Sequence, residues 1–257
     1  MVRWLWTVLA TATMAGCGIT DDERDAIGAF ARATGDLTLS SEGALVRMRE
    51  ETVAHSRAIL KAGNPHDAPI NARDLDRALD PEDVAARLLA LRALTRYAAL
   101  LESLASDDRL GAQGAELGAV LGAVAGLDPE ALAALASYLS GAWSEASRER
   151  ALREVIGLAD PIVAALCEHL ERDLDAGGGG FASQLLVARS DAIAAGIEGV
   201  SLDDPALAAL LEGVRALRET HRSLAESGGA WTWEDVEAFV VRVHEGVALV
   251  EVVTGAQ

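Results

Sequence analysis

Apolar residues recur along this chain at helical spacing. Ile27, Phe30, Thr34, Leu37, Ser41, Ala44, Met48, His55 and Ile59 fall near one stripe, with Thr52 just off it, and the pattern runs across Gly35 unbroken. It predicts one long helix from about residue 21 to about residue 61. Asn64-Pro65-His66-Asp67-Ala68-Pro69 then reads as a loop, because two prolines so close forbid a helix. Further helices are expected at about 81–106, 109–126, 129–142, 145–174, 183–198 and 205–226, with a kink or restart at Pro161.

The punctuation agrees with this pattern. Asp80-Pro81, Asp128-Pro129, Asp160-Pro161 and Asp204-Pro205 each place a carboxylate that can accept orphan N–H bonds before a residue that needs no N–H donor. Each also sets a negative charge at the positive end of a helix dipole. The last helix opens differently, with Thr232 as N-cap, Asp235 three residues on, and Trp231 placed to staple against Val236. Val236, Phe239, Val243, Val247 and Val250 then recur at spacings of three and four. The valine-rich tail could form a strand, but no partner strand is visible, so a helix is expected.

These elements add up to an all-α multi-helix bundle of about seven to eight helices, the first one long, with short and mostly antiparallel connections. The intervals between Asp-Pro pairs do not match, which disfavours a repeat solenoid. Gly177 to Gly180 is the only plausible boundary, read as a flexible linker, and the short remainder beyond it favours a single domain over 21–257.

Composition narrows the function classes. Alanine (51) and leucine (36) supply 87 of 257 residues, both strong helix formers. Forty acids against 22 bases give a net charge of −18, which repels nucleic acid and anionic lipid surfaces. Nucleic acid is therefore not an expected partner. The sparse aromatics leave little platform for stacking sugars or bases.

The N-terminus carries the most specific signal. Met1-Val2-Arg3 is a minimal positive start, and Trp4 to Met14 is uncharged but too short to span a bilayer. Met14-Ala15-Gly16-Cys17 resembles the lipobox of bacterial lipoproteins, with Met14 where that pattern usually has Leu. The resemblance covers only residues 1–17. It implies removal of residues 1–16 as a signal peptide, lipidation of Cys17, and a short tether over 17–20. Gly18 stands where such families use Asp for inner-membrane retention, which implies an outer-membrane destination facing the periplasm. An ordinary secretory signal with an accidental Cys is the plain alternative. Cys167, the only other cysteine, lies in an apolar helical run and reads as a buried small hydrophobe.

Gly114, Gly118, Gly122 and Gly126 recur every four residues. An interior helix glycine costs about 1 kcal/mol relative to Ala, so such a ladder suggests close helix packing within the bundle, or self-association through that face. On that expectation Gly118→Leu destabilises the fold.

Motifs for chemistry are few. His244-Glu245 opens like the zinc-protease pattern, but Ala248 takes the second histidine's place. Glu168-His169 with Asp173 could hold a metal but equally forms a surface ion pair. Gly177 to Gly180 follows acidic residues and precedes no Lys, so phosphate cradling is not expected. Arg92 and Arg96, one turn apart beside Tyr97, are the best candidate for an anion or polar contact, although pairing with carboxylates of neighbouring helices explains them as well. No cofactor or metal is expected. The reading is an envelope lipoprotein with a non-catalytic binding or scaffolding domain, joined to the membrane by lipid and open to an envelope protein partner. A helical carrier of a small apolar ligand is the rival, and an enzyme built on Arg92, Arg96, Glu168 and His169 the second.

Overall fold

The computed structural model describes residues 20–63, 70, 75, 80–106, 110–140, 148–228 and 231–255. The Cys17 signal and the Asn64–Pro69 loop lie outside them. Eight helices are found among the described residues: α1 (Asp21–Ala62), α2 (Pro81–Ser106), α3 (Leu110–Leu121), α4 (Pro129–Leu139), α5 (Arg148–Leu174), α6 (Phe181–Ala194), α7 (Pro205–Ser227) and α8 (Trp233–Gly255). The protein is an all-α bundle, and the valine-rich tail is helical.

The long first helix is continuous through Gly35, where an added Cβ would meet nothing within 4 Å. Thr20 opens it with a reciprocal capping box to Glu23. The threonines of its buried stripe turn their hydroxyls back on the backbone, whereas the Ser41 hydroxyl is buried without a partner. Thr34 donates to the Phe30 carbonyl at 2.8 Å and Thr52 to that of Met48 at 2.7 Å, so they enter the core without an orphaned donor. Thr38 adds a cross-link at 2.8 Å to Thr95 of α2.

Side-chain pairs fix the helix directions. Arg32 lies near Glu102 and Arg92 near Glu42, so α1 and α2 are antiparallel. Glu168 and Glu171 of α5 meet Arg218 and Arg215 of α7, which with Asp160 against His221 makes those two antiparallel. Phe30 packs on Phe239 at 5.2 Å between ring centroids, while Asp22 and Asp25 share a cleft with Trp233. Helices α1 and α8 therefore run parallel and start at the same end. Buried residues from all eight helices form one contiguous core cluster.

Three expectations are corrected. Asp80, Asp128 and Asp204 cap helices, but Asp160-Pro161 lies inside an unbroken α5. Gly157 and Pro161 are both exposed, so the carbonyl freed by proline's missing N–H is solvated and the helix continues. Asp160 is left free for another partner.

The second correction concerns the glycine ladder, which is not one packed face. Gly114 approaches Leu139 of α4 at ordinary contact distance, and a Cβ on Gly126 would come 3.3 Å from the His169 ring. Gly118 faces a cleft of about 240 Å³ between α3 and α4, and a Cβ there would meet nothing within 4 Å. Helix α3 ends at Leu121, short of the expected 126, so Gly122 follows the helix and Gly126 is a turn residue at φ +85°. The close crossings lie elsewhere. Gly213 of α7 would put a Cβ 2.8 Å from Leu37, and Gly246 of α8 would put one 3.6 Å from the Ala209 side chain. Nor is Gly177 to Gly180 a loose linker: a Cβ on Gly180 would run into the Arg172 carbonyl.

These positions predict opposite outcomes for two glycines. Gly118→Ala should raise stability by about 0.5–1 kcal/mol through helix propensity, with no clash to offset it. Gly213→Val should lower stability by about 1–3 kcal/mol by overpacking Leu37. Urea denaturation of both variants checks the pair.

Candidate functional site

The residues singled out in the sequence do not converge. Arg96 pairs with Glu116 of α3 at 2.9 Å and Arg92 lies 3.7 Å from Glu42 of α1, both with exposed side chains. Tyr97 points the other way, into the core. Glu168 lies near Arg218, whereas Asp173 is buried and accepts a bond from Arg87 of α2 at 2.9 Å. The expected surface pair of His169 and Asp173 is thus replaced by a link between α2 and α5. The same Arg87 stacks over Phe181, 5.4 Å from its centroid. Burial pushes Asp173 above the ordinary carboxylate range, with Arg87 opposing that shift. No group of three or more metal-ligating side chains occurs among the described residues. His244 is exposed, and Cys167 is buried, its thiol pushed far up by burial. Neither Cys17 nor His66 is among the described residues.

Two polar constellations were not legible as such in the sequence. In the first, Tyr97 of α2 lies 2.7 Å from His221 Nε2, and His221 Nδ1 lies 3.0 Å from Asp160. His221 is 0% exposed, with Phe30 against its ring at 6.1 Å. The hydrogen bond from His221 lowers the Asp160 pKa more than burial raises it, so the carboxylate is the acceptor. Burial, helped by the Asp160 charge, holds Tyr97 protonated and makes its hydroxyl the donor. In neutral His221 these roles place the proton on Nδ1. The row joins α2, α7 and α5 across the core.

The second constellation centres on Arg189 of α6, whose side chain is 9% exposed. Its guanidinium grips Glu51 of α1 through Nε at 2.6 Å and Nη2 at 2.9 Å, and Nη2 also reaches Asp204 at 3.1 Å. Asp204 meanwhile caps α7 through Leu207 N–H, and His55 lies 3.2 Å from Glu51. Nη1 is buried without a partner. Arg189 and Asp204 help line a cleft of about 170 Å³ between the end of α5, α6 and the start of α7. The other walls are leucine and alanine, with Asp175 beside them. This cleft is the candidate site, since its apolar walls stand over fixed charge.

Comparison with protein-family models, with curated proteins and with solved structures gives no match to this chain. The site therefore stands on its own geometry.

Each constellation carries a prediction. Tyr97→Phe leaves His221 Nε2 without a donor in a sealed core, and urea denaturation should show a loss of about 1–3 kcal/mol. Glu51 is raised by burial but lowered further by the bonds and charge of Arg189, with His55 adding to the same effect, so its pKa lies below the ordinary 4.5. A lowered carboxylate stabilises above its unfolded pKa and loses that contribution as pH falls through the folded value. Wild type should therefore exceed Glu51→Gln in stability at neutral pH, and the gap should narrow below pH 4.5 in acid denaturation followed by circular dichroism.

Proposed function

We propose that this protein is an envelope lipoprotein: residues 1–16 are removed, Cys17 carries the lipid, and a helical domain faces the periplasm from the outer membrane. None of the described helices is long and apolar enough to cross a membrane, so in this reading the acyl chains make the membrane contact. The domain binds rather than catalyses. The observation that carries this role is the cleft above Arg189, where apolar walls stand over charges already bound to one another.

Magnitudes favour binding over carriage or catalysis. Sites that enclose a whole drug-sized ligand run to roughly 300–1,000 Å³. At about 170 Å³ this cleft takes one apolar group of a ligand or partner, not an entire lipid, and the larger cleft of about 520 Å³ is lined by Asp22, Asp25 and Glu234, which does not suit an apolar cargo. The row of Tyr97, His221 and Asp160 would suit proton transfer, but its histidine is buried beneath Phe30 and its groups are spent on each other. From Thr20 to Glu51 along α1 is roughly 45 Å at the helical rise per residue, which sets the cleft far from the start of that helix.

Radiolabelled palmitate and N-terminal analysis of the mature protein test the address. Wild type should incorporate label and begin at Cys17, and Cys17→Ser should abolish labelling and leave the envelope membrane fraction. Labelling that survives in Cys17→Ser, or a mature chain that begins at another residue, overturns the reading.

A further inference from the structure

We infer that the cleft between α5, α6 and α7 binds a small organic cation, an aryl- or alkylammonium whose apolar body enters between the leucines while its ammonium meets Asp175. This rests on the binding reading above and names the ligand class for that site. The size of the cleft sets the body. An apolar cavity of about 150 Å³ holds benzene, so about 170 Å³ accepts one aromatic ring or a short branched chain. The walls are aliphatic: Leu174, Leu185, Leu186, Leu207 and Leu211 surround the space and no aromatic ring lines it. Recognition of the charge therefore falls to a carboxylate and not to a π face.

Charge selects the sign of the ligand. Arg189 is the one cation in the lining, and two carboxylates, Glu51 and Asp204, already hold it. Its unpartnered Nη1 is sealed from solvent, so it offers an incoming anion no donor. Asp175 differs from both of its acidic neighbours. Its Oδ1 accepts the Gly177 N–H at 3.0 Å, and among the described residues its carboxylate has no cationic partner. It is half-buried at the edge of an apolar space, where an ammonium gains more from it than in open water. A chain charge of −18 draws cations toward the surface in the same sense.

The test uses the mature full chain in a neutral detergent, with phenethylamine and hydrocinnamate as probes of similar ring and chain but opposite charge. Phenethylamine should shift the methyl resonances of Leu185 and Leu207 and bind at least about tenfold tighter than hydrocinnamate. Asp175→Asn keeps an oxygen for the Gly177 N–H, so the turn is retained, and it should bring the amine down to the affinity of the acid. Ala208→Trp, at an exposed position of the lining, should fill the cleft and abolish amine binding. Equal affinities for the two probes, tighter binding of the acid, unchanged amine affinity in Asp175→Asn or Ala208→Trp, or binding that leaves both leucines unmoved overturns the proposal. Palmitate labelling reads the anchor independently, so loss of the ligand class leaves the lipoprotein reading standing.

Discussion

Burial of one face of α1 is the interaction on which the other helices depend. The stripe from Ala26 to Thr52 is covered by α2, α6, α7 and α8, and its largest members, Ile27, Phe30, Leu45 and Met48, are fully buried. A helix of 42 residues cannot be sealed by one neighbour, so α2 and α8 flank it while α7 closes over it at Gly213. The stripe is only partly apolar, and it still buries because each threonine satisfies its own hydroxyl within a turn or on Thr95. Apolar area provides the drive, and the threonines' local hydrogen bonds remove much of the penalty that would otherwise oppose it, with only the Ser41 hydroxyl of the stripe left unpaired.

A bundle held by alanine and leucine alone is poorly specified in register, because one small apolar residue fits much as another. The long-range polar contacts supply what the apolar faces lack. Tyr97 to His221 joins positions 124 apart in sequence, and Arg189 to Glu51 joins positions 138 apart. A shift of either helix by one residue would strand a histidine or a guanidinium in the core. These bonds contribute modestly while intact, yet the cost of breaking them makes one arrangement much better than its neighbours.

Local chemistry in the sequence foretold the elements and missed the pairings, for a physical reason. Capping and periodicity act within a few residues, so the starts at Pro81, Pro129 and Pro205 could be seen from the chain itself. Asp160-Pro161 carries the same local signal as those starts, and only the placement of His221 and of solvent decides that it sits mid-helix. The glycine ladder misled likewise, because four-residue spacing states what a helix face could do, not which helix opposes it. Arg189 gave no sign at all: one arginine in an apolar segment becomes the hub of a site only when α1 and α7 bring two carboxylates to it. The half-motif at His244 and the isolated Cys167 were legible as bland, since neither had a local partner to find.

That hub also explains why a cleft persists beside α6. Filling it with larger side chains would gain apolar burial, but Arg189 must be approached from two directions by Glu51 and Asp204, which holds α6 and α7 apart at their ends. Asp204 serves both as cap of α7 and as acceptor for the guanidinium, so the helix start cannot move closer without losing one bond or the other. The tight turn at Gly178 and Gly180 against Arg172 limits the third wall in the same way. The space is thus a consequence of satisfying charge inside an apolar bundle, and its walls are as fixed as the ion pairs that set them. A preformed apolar space of this kind spares an occupant the cost of ordering its walls, which makes it a better binding surface than its small volume alone suggests.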